Sequence, residues 1–293
     1  MINYKIWTLE EEKELERLLN EGLSHSAIGI KLDRTPVSCK SHSSKLKIKC
    51  KYLSGKKYTQ DEDFWAIPNL INSYWAGFSA ADASIQVRNK KNFTYKLEIQ
   101  QSDMEHLQKL ASDSKFMGKI LLSKRPERNS TTVRICVNST KWAEDLKNNF
   151  NIIPNKTRRL EPPNDLSKEN LLSWLIGYID GDGTIHYNKT TNQININFVS
   201  SSENLIKFIH YFINSNFPQR LINKDNNYYK NKKYNCWYIS LSGIKVCVII
   251  DYLRSFPVPK LARKWENPQV LSYISQKKQE FPHLFLPPYP NLV

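Results

Sequence analysis

The chain is short of several things, and each shortage removes a class of protein. Cysteine is sparse: Cys39, Cys50, Cys136, Cys236 and Cys247 are scattered along 293 residues with no C-x-x-C pair. That spacing suits neither a zinc ribbon nor a disulfide framework, so reduced and mostly buried thiols are expected. No apolar run is long enough to cross a bilayer. The opening residues, MINYKIWTLEEEKELE, lack an apolar core followed by small residues, and they are too acidic for a mitochondrial transit peptide. The protein is therefore expected to work inside the cell where it is made, with no membrane partner. Acid is also scarce: 28 Asp and Glu stand against 43 Lys and Arg. The resulting net charge of +15, with a pI near 9.4, exceeds what solubility requires. A polyanion is the natural partner, and nucleic acid is the commonest one. A basic membrane-surface protein fits less well, because no Lys/Arg-rich amphipathic helix stands out.

What is present is an ordinary folded composition, 40% hydrophobic and 24% charged, with length for two or three compact units. Residues 7–48 suggest three short helices. Thr8 can cap the first and Glu11 completes a capping box, with Trp7, Leu15, Leu18 and Leu19 as its apolar stripe. Gly22 would stop it. Ser24 would cap a second helix carrying Ile28 and Leu32. Thr35 caps a third whose first position is Pro36. Lys40, His42 and Lys45, with the serines between them, suit a DNA groove and its phosphates. The early Trp, the acidic first helix and the Ile28-Gly29 and Arg34-Thr35 pairs resemble a Myb/SANT-like helix-turn-helix. Residues 51–66 are taken as a linker, with Phe64 and Trp65 anchoring its end.

The rest of the chain contains a duplication. NSYWAGFSAADASIQV at 72–87 matches LSWLIGYIDGDGTIHY at 172–187 without gaps, so Gly77, Asp82 and Ile85 align with Gly177, Asp182 and Ile185. In the first copy, strands are expected near 83–88 and 94–101, a helix over 104–111, a hairpin at 119–123 and 132–138, and a helix over 141–149. The second copy repeats the series: TIHYN and QININFVS, a helix at ENLIKFIHYFINS, a hairpin of QRLINK and CWYISLSG, and a final helix at IKVCVIIDYLRS. Alternating KLEIQ and ININF give each sheet one buried and one open face.

Gly77 and Ala81, like Gly177 and Gly181, are four residues apart, which puts two small residues on one helix face and permits close backbone approach. Two such helices side by side would bring Asp82 and Asp182 together at their C-terminal ends. Like charges at the negative end of two helix dipoles are unfavourable alone, whereas a divalent metal would require them. Paired metals serve phosphodiester hydrolysis.

LIGYIDGDGTI closely resembles the LAGLIDADG motif, and WAGFSAADASI looks like a degenerate second copy. Two copies on one chain imply the monomeric, pseudo-symmetric LAGLIDADG homing endonuclease. The implied fold class is α+β: two αββαββα halves with saddle sheets, preceded by a small all-α three-helix domain. The boundaries are 1–50 for the helical domain, 51–66 linker, 67–155 first half, 156–168 inter-half linker and 169–293 second half. The resemblance makes Asp82 and Asp182 ligands of Mg²⁺, on the order of two or three ions shared between them. It makes Asp180 structural, because its counterpart is Ala80. Gln101, with Ser200 or Ser201 in the other half, and Lys156 and Lys260 are the implied polar and basic groups around the centre. Strand and turn residues would read double-stranded DNA: Gln86, Arg88, Lys90, Lys91, Lys96 and Glu98 in one half, and His186, Asn188, Lys189, Gln193, Asn195 and Asn197 in the other. The loops KRPER and KDNNYYKNKK would follow phosphates. Site-specific cleavage of both strands of a long asymmetric target is the leading reading. A regulator that has lost cleavage and a maturase acting on intron RNA are the alternatives. A calcium loop fails for want of EF-hand spacing, and an intein for want of splicing blocks.

Overall fold

The computed structural model describes residues 6–21, 23, 25–48, 59–89, 92–125, 127, 129–217 and 228–285. The chain forms two compact units, Met1–Lys57 and Tyr58–Val293. In the smaller unit, α1 (Leu9–Asn20), α2 (His25–Leu32) and α3 (Pro36–Lys45) enclose a core of Leu15, Leu18, Leu19, Ile28 and Cys39. The capping box on α1 forms: the Glu11 amide donates to Thr8 Oγ1 at 3.2 Å, and the Thr8 amide to Glu11 Oε2 at 3.1 Å. Thr35 Oγ1 likewise accepts from the Ser38 amide at 3.1 Å, with Pro36 opening the helix. Gly22 and Ser24 lie outside the described residues.

The larger unit holds both halves of the duplication. The first runs α4 (Leu70–Asp82), β1 (Ala83–Asn89), β2 (Asn92–Gln100), α5 (Met104–Asp113), β3 (Leu121–Arg125), β4 (Ser130–Asn138) and α6 (Thr140–Phe150). The second runs α7 (Lys168–Asp182), β5 (Thr184–Asn188), β6 (Gln193–Ser200), α8 (Glu203–Asn216), β7 (Tyr229–Asn231), β8 (Cys236–Ser242) and α9 (Ile244–Arg254). Each half has a four-stranded antiparallel sheet, ordered β1-β2-β4-β3 and β5-β6-β8-β7. Period-two alternation sends Tyr95, Leu97 and Ile99, and Ile194, Ile196 and Phe198, into one shared core. The opposite face of each sheet carries the polar residues.

Three expectations change. The last helix is not α9, because α10 (Ala262–Trp265) and α11 (Pro268–Glu280) follow it. Asn267 caps α11 and Pro268 takes its first position, while Val270 and Ile274 bury a narrow apolar stripe. Second, residues 59–66 belong to the larger unit rather than to a linker. Trp65 is fully buried among Tyr95, Trp142 and Phe150, and the Trp142 indole donates to the Asp61 carbonyl at 2.8 Å. Third, Tyr229–Asn231, within the expected loop KDNNYYKNKK, is a strand that pairs with β8, whereas QRLINK lies wholly outside the described residues.

Candidate active site and nucleic-acid interface

The centre is built on the seam between α4 and α7. A Cβ on Gly77 would lie 1.8 Å from the Trp174 carbonyl oxygen, and one on Gly177 would lie 1.9 Å from that of Tyr74. Only glycine lets the two backbones meet so closely. One turn further on, a Cβ on Gly181 would lie 2.2 Å from Ala81 Cβ. The four small residues Gly77, Ala81, Gly177 and Gly181 therefore form one contact line. Asp82 and Asp182 are the last residues of the two helices, and the chain turns directly into β1 and β5.

Both carboxylates reach solvent from between walls that exclude much of the water. That loss of hydration, and then the charge of Asp182, push Asp82 up to about 6, against the pull of Lys264 and Lys156. Burial raises Asp182 as well, opposed by the same two lysines. Lys156 Nζ donates to the carbonyls of Ala80 (2.6 Å) and Ala81 (2.9 Å). Lys264 Nζ donates to those of Ile179 (2.8 Å), Asp180 (2.7 Å) and Gly183 (2.7 Å), with Gly181 at 3.4 Å. Each ammonium sits at the negative end of a motif helix. Burial lowers Lys156 and brings Lys264 down to about 8.

Lys260 is a correction. Its ammonium donates to Phe256 and Val258 carbonyls of its own loop, and the place equivalent to Lys156 belongs to Lys264. Matching IPNK to PVPK put the lysine four residues early, because α10 carries the chain back to α7 only after the proline turn. Gln101 stands beside the end of its strand rather than on it. It lies exposed in the 3₁₀ turn after β2, one residue past the end of the strand. Gln100, on the open face opposite Thr132, lines the recess beside Asp82. In the other half Ser200 points to the core, where its hydroxyl accepts from the Ser202 amide at 3.1 Å. Ser201 follows it.

Asp180 is buried, with its carboxylate held by donors from other elements. It accepts from Tyr74 Oη (2.7 Å), the Leu261 amide (2.9 Å) and the Trp265 indole (2.6 Å). Burial outweighs these donors and raises its carboxyl to about 6. His106 continues the chain of bonds, 2.7 Å from Tyr74 Oη, and burial lowers its imidazole to about 4.

The open sheet faces carry the base-edge candidates. Gln86, Lys96 and Glu98 share one, with Lys96 and Glu98 ion-paired at 2.5 Å, and Arg88 is exposed at the irregularity between Val87 and Asn89. Arg134, opposite Glu98 in the register, also lies there and was not anticipated; cross-strand alternation from Glu98 would have found it. On the other sheet His186, Asn188, Gln193, Asn195 and Asn197 lie on one face in the pairs His186–Asn195 and Asn188–Gln193, with Thr184 opposite Asn197. Lys189 is exposed in the turn between β5 and β6, while Lys90 and Lys91 lie outside the described residues.

In the smaller unit, Val37, Lys40, Ser41, Ser44 and Lys45 form one exposed face of α3. His42 is not on it. Three residues after buried Cys39, it stacks on Trp7 at 4.3 Å and bonds to Glu12 Oε1 at 2.7 Å. Arg34 covers the same Trp7 ring at 4.4 Å and pairs with Glu11 at 2.6 Å.

Among the described residues no group of three or more His, Cys, Asp or Glu side chains is arranged to hold a metal, and no helix is long and apolar enough to cross a membrane. Two exposed carboxylates at one helix seam are the oxygen donors the protein offers there.

Residues 169–248 match the model of the LAGLIDADG-like domain family. Over residues 169–248 the chain is thus similar to a LAGLIDADG-like domain, and the first half repeats the αββαββα order of the second. Comparison with curated proteins gives no match. Among solved structures, the LAGLIDADG homing endonuclease I-LtrWI bound to target DNA aligns at 13% identity and a TM-score of 0.44, covering 75% of this chain and 93% of that one. I-WcaI bound to its DNA recognition sequence aligns at 17% identity and 0.48, covering 70% and 91%. The N-terminal LAGLIDADG domain of DUF199/WhiA aligns at 10% identity and 0.40, covering 73% and 93%.

Proposed function

We propose that the protein is a monomeric, site-specific DNA endonuclease that hydrolyses both strands of a long asymmetric target with a divalent metal. The observation that carries this reading is the pair Asp82 and Asp182, set at the ends of two glycine-packed helices with an ammonium behind each. Their oxygens suit Mg²⁺, which keeps several waters and takes its other ligands from phosphate. When bound, the metal would polarise the phosphodiester and lower the pKa of a nucleophilic water. The protein's own part is to hold two repelling carboxylates in place. Lys156 and Lys264 fix the helix ends, and the seam prevents the helices from moving apart. Lysines, arginines and main-chain amides would hold phosphates, while the amides of Asn188, Gln193, Asn195 and Asn197 can pair with adenine edges and Arg88 or Arg134 with guanine.

The test uses duplexes selected for binding from a randomised library in Ca²⁺, then offered Mg²⁺. Wild type should cut both strands, whereas Asp82→Asn and Asp182→Asn should bind and not cut. A second reading, a regulator with this fold, is favoured by the separate three-helix unit, with its own core and the exposed lysines of α3. Binding by wild type with no cleavage in Mg²⁺ or Mn²⁺ would establish it instead.

A further inference from the structure

The two sides of the centre differ in one cation. Arg263 stands immediately before Lys264, and Asn155 immediately before Lys156. Arg263 donates from Nε to Asp103 Oδ1 at 3.0 Å and Oδ2 at 3.3 Å, and from Nη2 to Oδ2 at 3.0 Å. Asp103 is the residue before α5, and its side chain is only 10% exposed. Its counterpart before α8 is Ser202, whose hydroxyl accepts from the Leu205 amide. The ion pair thus crosses from the second half to the first and, among the described residues, has no twin on the Asp182 side.

Arg263 is 55% exposed, and a pair so open to water adds little to stability. Nη1 takes no part in the bonds to Asp103. The guanidinium lines a recess of about 270 Å³ that also holds Asp82 and Gln100. An arginine gripped along its Nε edge keeps its other edge ready for a second anion. Planar N–H pairs suit the oxygens of a phosphate better than a lysine does.

We propose that Arg263 binds a phosphate of the DNA backbone on the Asp82 side, with Asp103 as its positioning residue. For want of an equivalent on the Asp182 side, the two strands are cut at unequal rates through a nicked intermediate. The inference rests on the endonuclease reading.

The experiment follows each strand separately, with distinct labels on a duplex selected for binding in Ca²⁺ from a randomised library, under single turnover in Mg²⁺. Wild type should accumulate nicked duplex. Arg263→Ala should slow one strand about a hundredfold and the other less than about threefold. Asp103→Asn should slow the same strand by a smaller factor, and Arg263→Lys should restore part of the loss. A readout without cleavage uses the wild-type protein in Ca²⁺. A neutral methylphosphonate at the scissile phosphate should weaken binding more on one strand than on the other, and that difference should vanish in Arg263→Ala. Cleavage by wild type with both strands slowed alike by Arg263→Ala, or neither slowed, overturns this proposal and leaves the endonuclease reading standing. Binding without cleavage overturns both.

Discussion

Lys264 closes the end of α7 as Lys156 closes the end of α4: each ammonium rests against the last carbonyls before an aspartate of the centre. The equivalence holds although the two lysines come from differently built segments. Lys156 begins a short 3₁₀ turn, whereas Lys264 lies on α10.

Removing the buried Lys264 leaves the carbonyls of α7 without their donor. Lys264→Met should cost about 2–4 kcal/mol in denaturant unfolding. Lys260→Ala, which gives up bonds only to its own loop, should cost less than about 1 kcal/mol. Equal losses would contradict the assignment of Lys264 as the counterpart of Lys156.

A methyl at the helix crossing meets backbone that cannot yield. Gly77→Ala and Gly177→Ala should each destabilise by more than about 3 kcal/mol or prevent folding. At the next turn the obstacle is only Ala81 Cβ. Gly181→Ala should therefore be rescued in large part by Ala81→Gly, which moves the methyl to the other helix. Thermal melts of the two single variants and the double variant test this, and a double variant no better than Gly181→Ala would refute it.

Metal should stabilise the fold through the carboxylate pair. Asp82 has a folded pKa of about 6, above its unfolded value, so its ionised form opposes folding as pH rises through that range. Without metal at about pH 7, Asp82→Asn should be more stable than wild type. Because solvent reaches the side chain, the gain is modest, about 1 kcal/mol. Magnesium should raise the melting temperature of wild type and not of Asp82→Asn. Scanning calorimetry with and without chelator reads both effects.

His106 gives a pH dependence of opposite sign. Burial holds its folded pKa near 4, below the unfolded value of 6.5, so the unfolded chain takes up the proton first as pH falls. Its contribution is present above about pH 6.5 and is lost towards pH 4. Asp180, raised to about 6, works against this trend over roughly pH 4–6. Comparison with His106→Gln isolates the histidine: wild type should lose up to about 3 kcal/mol relative to the variant between about pH 7 and pH 4. A constant difference in urea unfolding across that range would rule the imidazole out.

The smaller unit has its own core, so deletion of residues 1–57 should leave the melting of the larger unit unchanged. If the exposed face of α3 meets DNA, the truncated protein should bind more weakly, with a shorter footprint and a shallower salt dependence. Lys40→Ala and Lys45→Ala should reproduce part of that loss, and His42→Ala should act through stability. An unchanged footprint would remove DNA from the role of this unit.

Much of this was legible because duplication shows itself twice. Alternation in KLEIQ and ININF placed the open faces, and the gapless match of 72–87 to 172–187 located both aspartates. Legibility ended where the halves diverge. Lys264 and α11 lie beyond the matched series, and only the Asn267-Pro268 cap announced the latter. The direction of His42 was hidden because composition shows what a residue could touch, while the spacing from Cys39 decides which way it faces. Arg263 was hidden for a different reason: its partner is 160 residues away, and no local pattern records a contact between halves.

Asp180 draws one of its three donors from across the seam, from Tyr74. The residue at the matching place in the other motif is Trp174, which has no hydroxyl. Two second halves paired with each other would each bury a carboxylate lacking that donor, and two first halves would press Ala81 against Ala81. Neither like pairing reproduces the observed seam. The two halves are thus no longer interchangeable at the level of side chains: each is a key cut for the other.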